Sequence, residues 1–199
     1  MRYKLIGLTG NTGAGKSTVA AALVEKGDAV LLDADAIARQ LQQPGSEALK
    51  TIAAHFGAQV LARDGSLNRA ALGRLVFSDV VQKQALESIM WPRIADVIEQ
   101  RLQEQTRWMV LDAPLLFESG LDALCYQTWM VVAPESVRRA RIMARDGIDA
   151  TQAQMRIDAQ VSQQAKLRMA THILDGTQPR EVLCAQALAL FQQAKDLWG

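Results

Sequence analysis

Apolar residues gather in five short runs, at positions 5–8, 30–32, 109–111, 129–132 and 173–174. Each reads as a buried strand. The stretches between them carry apolar residues at helical spacing. Continuous apolar strands alternating with helices predict an α/β fold, a parallel five-stranded sheet with helices on both faces. Ligands in such sheets sit beyond the carboxyl ends of the strands. The residues that follow each run are therefore where chemistry is expected.

The spacing of the runs is uneven. Between Asp35 and Trp108 no strand signal occurs. Helices are predicted over 36–41 and 47–56, broken by Pro44-Gly45. Asp64-Gly65 marks a turn. Asn68 is placed to cap a helix reaching Phe77, and Asp79 another reaching Ile89. Pro92 suits the first turn of a further helix, with Ile94, Ile98 and Leu102 on one stripe. About seventy residues exceed what a single crossover helix needs. The pattern predicts a helical insertion, about 36–106, lying over the strand ends and covering a second substrate. After the fourth run, Pro134-Glu135 opens a basic helix. Arg138, Arg141 and Arg145 share one of its faces, and Arg139 points elsewhere. Thr151 is placed to cap a polar helix running to about Arg168. Its low apolar content suits a hinged lid over about 138–170 and equally a surface helix that never moves. At the end, Leu183, Ala187, Leu190, Phe191, Ala194 and Trp198 form a stripe that packs on the sheet. The core of this single domain is then 1–35, 107–137 and 171–199.

The first strand leads into Gly10-Asn11-Thr12-Gly13-Ala14-Gly15-Lys16-Ser17, which fits the phosphate-binding loop G-x-x-x-x-G-K-[ST]. With glycine near 7% of residues, chance matches come roughly once in tens of thousands of windows. The residue types have physical reasons. Glycines let backbone N–H groups face phosphate oxygens with no Cβ in the way. A helix beginning near Lys16 adds its N-terminal amides and dipole; Val19, Ala22, Leu23 and Lys26 carry its spacing and Gly27 its C-cap. Lys16 is placed to reach the β- and γ-phosphates and Ser17 to ligate Mg²⁺. Strand two is followed by Asp33-Ala34-Asp35. Asp35 reads as a helix cap and Asp33, nearer the strand end, as a functional carboxylate. Strand three is followed by Asp112-Ala113-Pro114-Leu115-Leu116-Phe117-Glu118.

Composition narrows the classes. The chain has 199 residues, enough for one sizeable core but short for two full domains. A formal net charge of +1 gives no argument for a nucleic-acid or membrane partner, and no apolar run approaches membrane-spanning length. Cys125 and Cys184 lie far apart without metal-ligand spacing, which fits a reduced, cytoplasmic setting. His55 and His172 are isolated. Trp91, Trp108, Trp129 and Trp198 are scattered and read as packing residues.

The chain resembles the dephospho-CoA kinase family almost from end to end. The resemblance rests on Leu8-Thr9-Gly10 with Gly13-Ala14-Gly15-Lys16-Ser17-Thr18, on Asp33-Ala34-Asp35 with Ala38-Arg39, and on Pro44-Gly45 and His55-Phe56-Gly57. It continues through Asp64-Gly65-Ser66-Leu67-Asn68-Arg69-Ala70-Ala71-Leu72 and Pro114-Leu115-Leu116-Phe117-Glu118. Arg141, Arg145-Asp146, Ala159-Gln160 and Lys166 match as well. Three places depart from it: Trp91-Pro92 for His-Pro, Thr171-His172 before the last strand, and Asp175-Gly176-Thr177-Gln178 after it. That last stretch resembles the loop that holds the adenine of ATP.

The resemblance implies a P-loop nucleotide core, a helical substrate region and a lid. It implies transfer of the γ-phosphoryl group of ATP, with Mg²⁺, to the ribose 3′-hydroxyl of dephospho-CoA. Asp33 is the implied base, Lys16 holds the phosphates, and the lid arginine is Arg141 or Arg145. ATP would be held by Asn11, Thr12, Gly13, Ala14, Gly15, Lys16, Ser17 and Thr18. The acceptor would meet Thr9, Asp33, Arg39 and Leu115. Mg²⁺ would meet Ser17, with Asp112 reached through water. Both partners are small molecules, and the oligomeric state stays open. Two other readings of the loop stand beside this one: another small-molecule or nucleoside monophosphate kinase, and a nucleotide-dependent switch.

Overall fold

All five apolar runs are strands in the computed structural model, which describes residues 3–198. They are β1 (Leu5–Thr9), β2 (Val30–Asp33), β3 (Met109–Asp112), β4 (Gln127–Val132) and β5 (His172–Asp175). The sheet order is β2-β3-β1-β4-β5. β1 is central and parallel to both β3 and β4, with Gly7 opposite Leu111 on one side and Thr128 on the other. β4 and β5 are also parallel. β1, β2 and β3 each run one residue past their apolar stretch, ending on Thr9, Asp33 and Asp112. Each ladder thus closes on a polar residue at the carboxyl end, where such sheets hold ligands.

Nine α-helices occur among the described residues. They are α1 (Lys16–Glu25), α2 (Ala34–Leu41), α3 (Glu47–Phe56), α4 (Arg69–Ser78), α5 (Val80–Glu104), α6 (Glu135–Asp146), α7 (Ala150–Asp158), α8 (Gln163–Leu167) and α9 (Arg180–Trp198). No helix among the described residues is long and apolar enough to cross a membrane. The chain divides into two units: residues up to Leu32 together with those from Gln105 onward, and Asp33–Glu104.

In the sheet unit, α1 and α9 cover one face. Val19, Ala20 and Leu23 from α1, and Leu183, Ala187, Phe191 and Ala194 from α9, meet Ile6, Leu8, Val110, Trp129, Val131 and Leu174. Trp108, Tyr126, Phe191 and Trp198 pack edge to face with centroids 4.9 to 5.9 Å apart, the offset their ring quadrupoles favour. Three of the four tryptophans are therefore packing residues. On the other face Gly7 is needed for closeness. A Cβ there would lie 2.6 Å from Cys125 Sγ and 2.8 Å from a Leu116 methyl. Burial, with the Asp122 charge adding to it, pushes the Cys125 thiol up to about 12, so it is a core group and not a nucleophile.

The second unit is helical. α2, α3 and α4 each pack on α5, enclosing Ile37, Leu49, Ile52, Phe56, Leu72, Ile94 and Ile98. Ser46 caps α3 by accepting from Leu49 N–H at 3.2 Å, and Asn68 caps α4 by accepting from Ala71 N–H at 3.0 Å. The turn at Asp64-Gly65 is closed by a Leu61–Leu67 antiparallel bridge.

Three expectations change. Two helices were expected on either side of Pro92, but α5 runs unbroken through it. A proline inside a helix costs about 3 kcal/mol. The buried stripe Met90, Ile94, Ile98 and Leu102 crosses the proline, and four such burials outweigh that cost at roughly 1.5–3 kcal/mol each. The polar helix expected from Thr151 to about Arg168 begins instead at an Asp149 cap, which accepts from Gln152 N–H at 2.8 Å. It breaks after Asp158, and the residues that follow, Gln160 and Val161, bond to the phosphate loop. Finally, Asp33 and not Asp35 caps α2, accepting from Ala36 N–H at 2.9 Å.

Candidate active site

The glycine-rich turn follows β1 directly and ends where α1 begins. Gly15 is the N-cap of α1 with φ of +109°, and Gly13 has φ of +81°. Side chains other than glycine rarely adopt these angles. The turn is tightened by Ala14 N–H donating to Asn11 O at 3.0 Å and Thr18 N–H to Gly15 O at 3.0 Å. Around it lies a cleft of about 500 Å³, lined by Gly10–Gly13, Gly15–Thr18, Pro114, Arg141, Ile142, Arg145, Gly176, Gln178, Arg180 and Leu183. That is a common size for a small-molecule site. Its lining includes Lys16, Arg141, Arg145 and Arg180 and no carboxylate. Such a wall attracts a polyanion.

Three of these cations are placed by specific partners. Lys16 pairs with Asp112 at the end of β3, so the carboxylate expected near the metal here holds the loop lysine. Arg141 donates to the carbonyls of Gly13 at 3.1 Å, Ala14 at 3.4 Å and Gly176 at 2.8 Å. It staples the phosphate loop to the loop after β5. Arg145 makes two bonds to Asp146, at 2.7 and 2.9 Å. Those bonds hold the guanidinium above its ordinary value and, with Arg156 alongside, the Asp146 carboxyl below its own. Arg138, expected on the same face, is 6% exposed and donates to Gln160. Arg139 turns to Gln154.

The loop after β5 is self-organised. Asp175 accepts from Thr177 through both hydroxyl and N–H, and from the Gln178 amide at 3.0 Å. These bonds keep its carboxyl below the usual range. Gly176 lies so close to the phosphate loop that a Cβ would collide with the Ala14 carbonyl oxygen. The loop expected to resemble an adenine holder is thus a wall of the same cleft.

The remaining site residues are spread over both units. Ser17 is exposed and lines the cleft, whereas Ala14 is enclosed. Thr9, expected to meet an acceptor, is fully buried and donates its hydroxyl to Pro114 O at 3.2 Å. Leu115 is 45% exposed. In the helical unit, Arg39 lies 3.6 Å from Asp33, and both side chains are substantially exposed. The oxygens of Ser17 and Asp112 fit a hard cation such as Mg²⁺, which takes few protein ligands and fills its shell with phosphate and water. Among the described residues no group of three or more His, Cys, Asp or Glu could hold a metal by itself. Arg180 was missed as a cleft residue, because a lone arginine opening a helix carries no motif. Gln160 was noted without a role, and its bonds to Thr12 appear only in three dimensions.

A cleft of this kind, on a glycine turn between a central parallel strand and its helix, defines a P-loop nucleotide-binding protein. Relatives narrow the class. The family model for dephospho-CoA kinase matches residues 4–180. The dephospho-CoA kinase of Moorella thermoacetica is 39% identical, covering 95% of this chain and 91% of the relative. That of Symbiobacterium thermophilum is 42% identical, covering 96% and 81%. A solved Thermus thermophilus protein superposes with a TM-score of 0.79 at 35% identity, over 97% of this chain and 98% of that one. The solved dephospho-CoA kinase of Campylobacter jejuni gives 0.68 at 26% identity, over 97% of each. The chain belongs to the dephospho-CoA kinase family.

Proposed function

We propose that this protein transfers the γ-phosphoryl group of ATP to the ribose 3′-hydroxyl of dephospho-CoA, giving CoA and ADP. The observation that carries this reading is the cationic cleft on the Gly10–Ser17 turn, in a chain matched along 4–180 by one kinase family. The cleft amides and Lys16 hold the β- and γ-phosphates. Lys16 leaves Asp112 for the phosphates when ATP enters. Arg145 exchanges Asp146 for the transferring group, while Arg141 keeps the loop in shape. Asp33 accepts the hydroxyl proton as the 3′-oxygen bonds to phosphorus and the β–γ bridge breaks. A carboxylate within reach makes a poor alcohol nucleophile adequate. Ser17 and Asp112 are the residues that would hold Mg²⁺, which neutralises charge on the phosphates when bound. For the acceptor, Arg39 offers a cation and Leu115 an apolar contact, and Thr9 fixes the turn after β3 through its bond to Pro114 O. α6 and α7 act as the lid that excludes water during transfer. The thiols of Cys125 and Cys184 are free, which supports a reducing, cytoplasmic setting for the reaction.

The test is ADP release from Mg·ATP with and without dephospho-CoA, beside AMP, CMP and shikimate. Strong stimulation by dephospho-CoA alone, with CoA as product, is the expected result. Stimulation by another acceptor, or by none, overturns the reading.

A further inference from the structure

One buried ion pair in the sheet unit has no part in the mechanism above. Lys166, on α8, is 4% exposed. Its ammonium donates to Pro114 O at 2.8 Å and lies 2.8 Å from Glu118 Oε1. Both Glu118 carboxylate oxygens are sealed from solvent, and the Lys166 ammonium is the cation that faces them. Desolvating two charges is costly, and a well-packed apolar pair often serves stability as well or better. Stability therefore gives little reason for the pair, whereas geometry gives one. Pro114 lines the cleft. Its carbonyl accepts from Lys166 and from Thr9 at the end of β1. Two residues earlier stands Asp112, the partner of Lys16.

Six residues before Lys166 the same segment grips the phosphate loop itself. Gln160 Oε1 accepts from Thr12 N–H at 3.2 Å and from Arg138 at 3.4 Å, and its amide donates to the Thr12 hydroxyl at 2.8 Å. Asn11, 6% exposed, donates to Val161 O at 3.1 Å. The cleft wall is thus held by two devices. Arg141 holds Gly13, Ala14 and the loop after β5. Residues 160–166 hold Asn11, Thr12 and Pro114.

We infer that Gln160 and the Lys166–Glu118 pair are positioning residues for phosphoryl transfer, strapping the first half of the phosphate loop to the turn after β3. The strap leaves Gly15–Thr18 and the loop after β5 to their own bonds, so its loss is read in turnover more than in ATP affinity. Small misplacements of reacting groups reduce rates by about 100-fold.

This inference rests on the proposed reaction, and the wild-type assay separates the two: with no CoA formed by wild type, the reaction itself is wrong. In an active enzyme, Lys166→Met combined with Glu118→Gln removes both charges of the pair. The expected result is kcat lowered roughly 10- to 100-fold with KM for ATP within about threefold, at a melting midpoint equal to or above that of Lys166→Met alone. A second pair keeps the test open if Lys166 variants fail to fold. Gln160→Glu keeps the acceptor for Thr12 N–H and Arg138, whereas Gln160→Leu keeps nothing, so kcat should fall more in the second. Wild-type kcat in the variants that fold overturns the inference, as does a loss confined to KM for ATP.

Discussion

The two units are built on different principles. Every polar or charged residue buried among the described ones, namely Thr9, Asn11, Thr128, Arg138 and Lys166, belongs to the sheet unit. The helical unit buries none, and its ion pairs Asp33–Arg39, Glu47–Lys50 and Lys83–Glu87 are exposed. Apolar packing and helix caps are sufficient to hold four helices together. Burying a lysine or an arginine calls for a partner at each charge, and a fold accepts that cost where atoms must stay in fixed places. The sheet unit carries it around the phosphate loop. Its second buried network, Thr128 with Thr171 and Met169 O, stitches β4 to the chain entering β5.

The largest expected effect tests the contrast from the helical side. Asp33 has two jobs, as the cap of α2 and as the proposed base. Asparagine caps as well as aspartate but cannot take a proton. Asp33→Asn should therefore leave the melting midpoint and ATP affinity unchanged while turnover falls by roughly 10²- to 10⁴-fold. Full activity would remove Asp33 from the base role. Core truncations come next. Ile98→Ala in the helical unit should cost about 2–5 kcal/mol and Phe191→Ala in the sheet unit about 3–5 kcal/mol by denaturant unfolding. If the units unfold separately, each truncation should shift a different transition; a single shared transition would mean that they fold as one.

Arg141→Ala should raise KM for ATP on the order of tenfold with a smaller change in kcat, because its donors hold the cleft wall. A loss confined to kcat would instead place it on the transferring group. The smallest effect is one of pH. Asp146 and Asp175 are held below the ordinary value of 3.8 by hydrogen bonds made only in the fold. Such groups favour the folded state above the unfolded value, and the contribution fades as pH drops through the folded one. Asp175 is exposed and Asp146 partly so, so the melting midpoint should fall only slightly more steeply below about pH 4 in wild type than in Asp146→Asn. Equal slopes would show that the Arg145–Asp146–Arg156 cluster contributes nothing to folding.

Much of this was legible in the residues. Apolar runs of two to four residues located all five strands, since a strand enclosed by helices has no polar face to show. The glycine turn located the loop, because only glycine tolerates its angles and its closeness to phosphate. Helices α3 and α4 were placed by Glu47, Phe56 and the Asn68 cap. What escaped was non-local. Pro92 reads as a helix start, yet the stripe on either side of it is buried as one face. Thr151 reads as a cap, but Asp149 reaches the free amide of Gln152. Nothing near Gln160 indicates that Thr12, 148 residues away, is its partner. Nothing near Lys166 points to Pro114 and Glu118.

The sequence by itself determined the parallel sheet, the phosphate loop and the family. These depend on residue type and short-range spacing, and backbone sterics and hydrophobic periodicity act over a few residues. Only the tertiary structure decided that Arg141 spends its donors on backbone carbonyls, that Asp112 holds Lys16, and that residues 160–166 fasten the loop to the turn after β3. Hydrogen bonds and ion pairs reach about 3 Å, and which distant groups come that close is set by how the strands and helices stack.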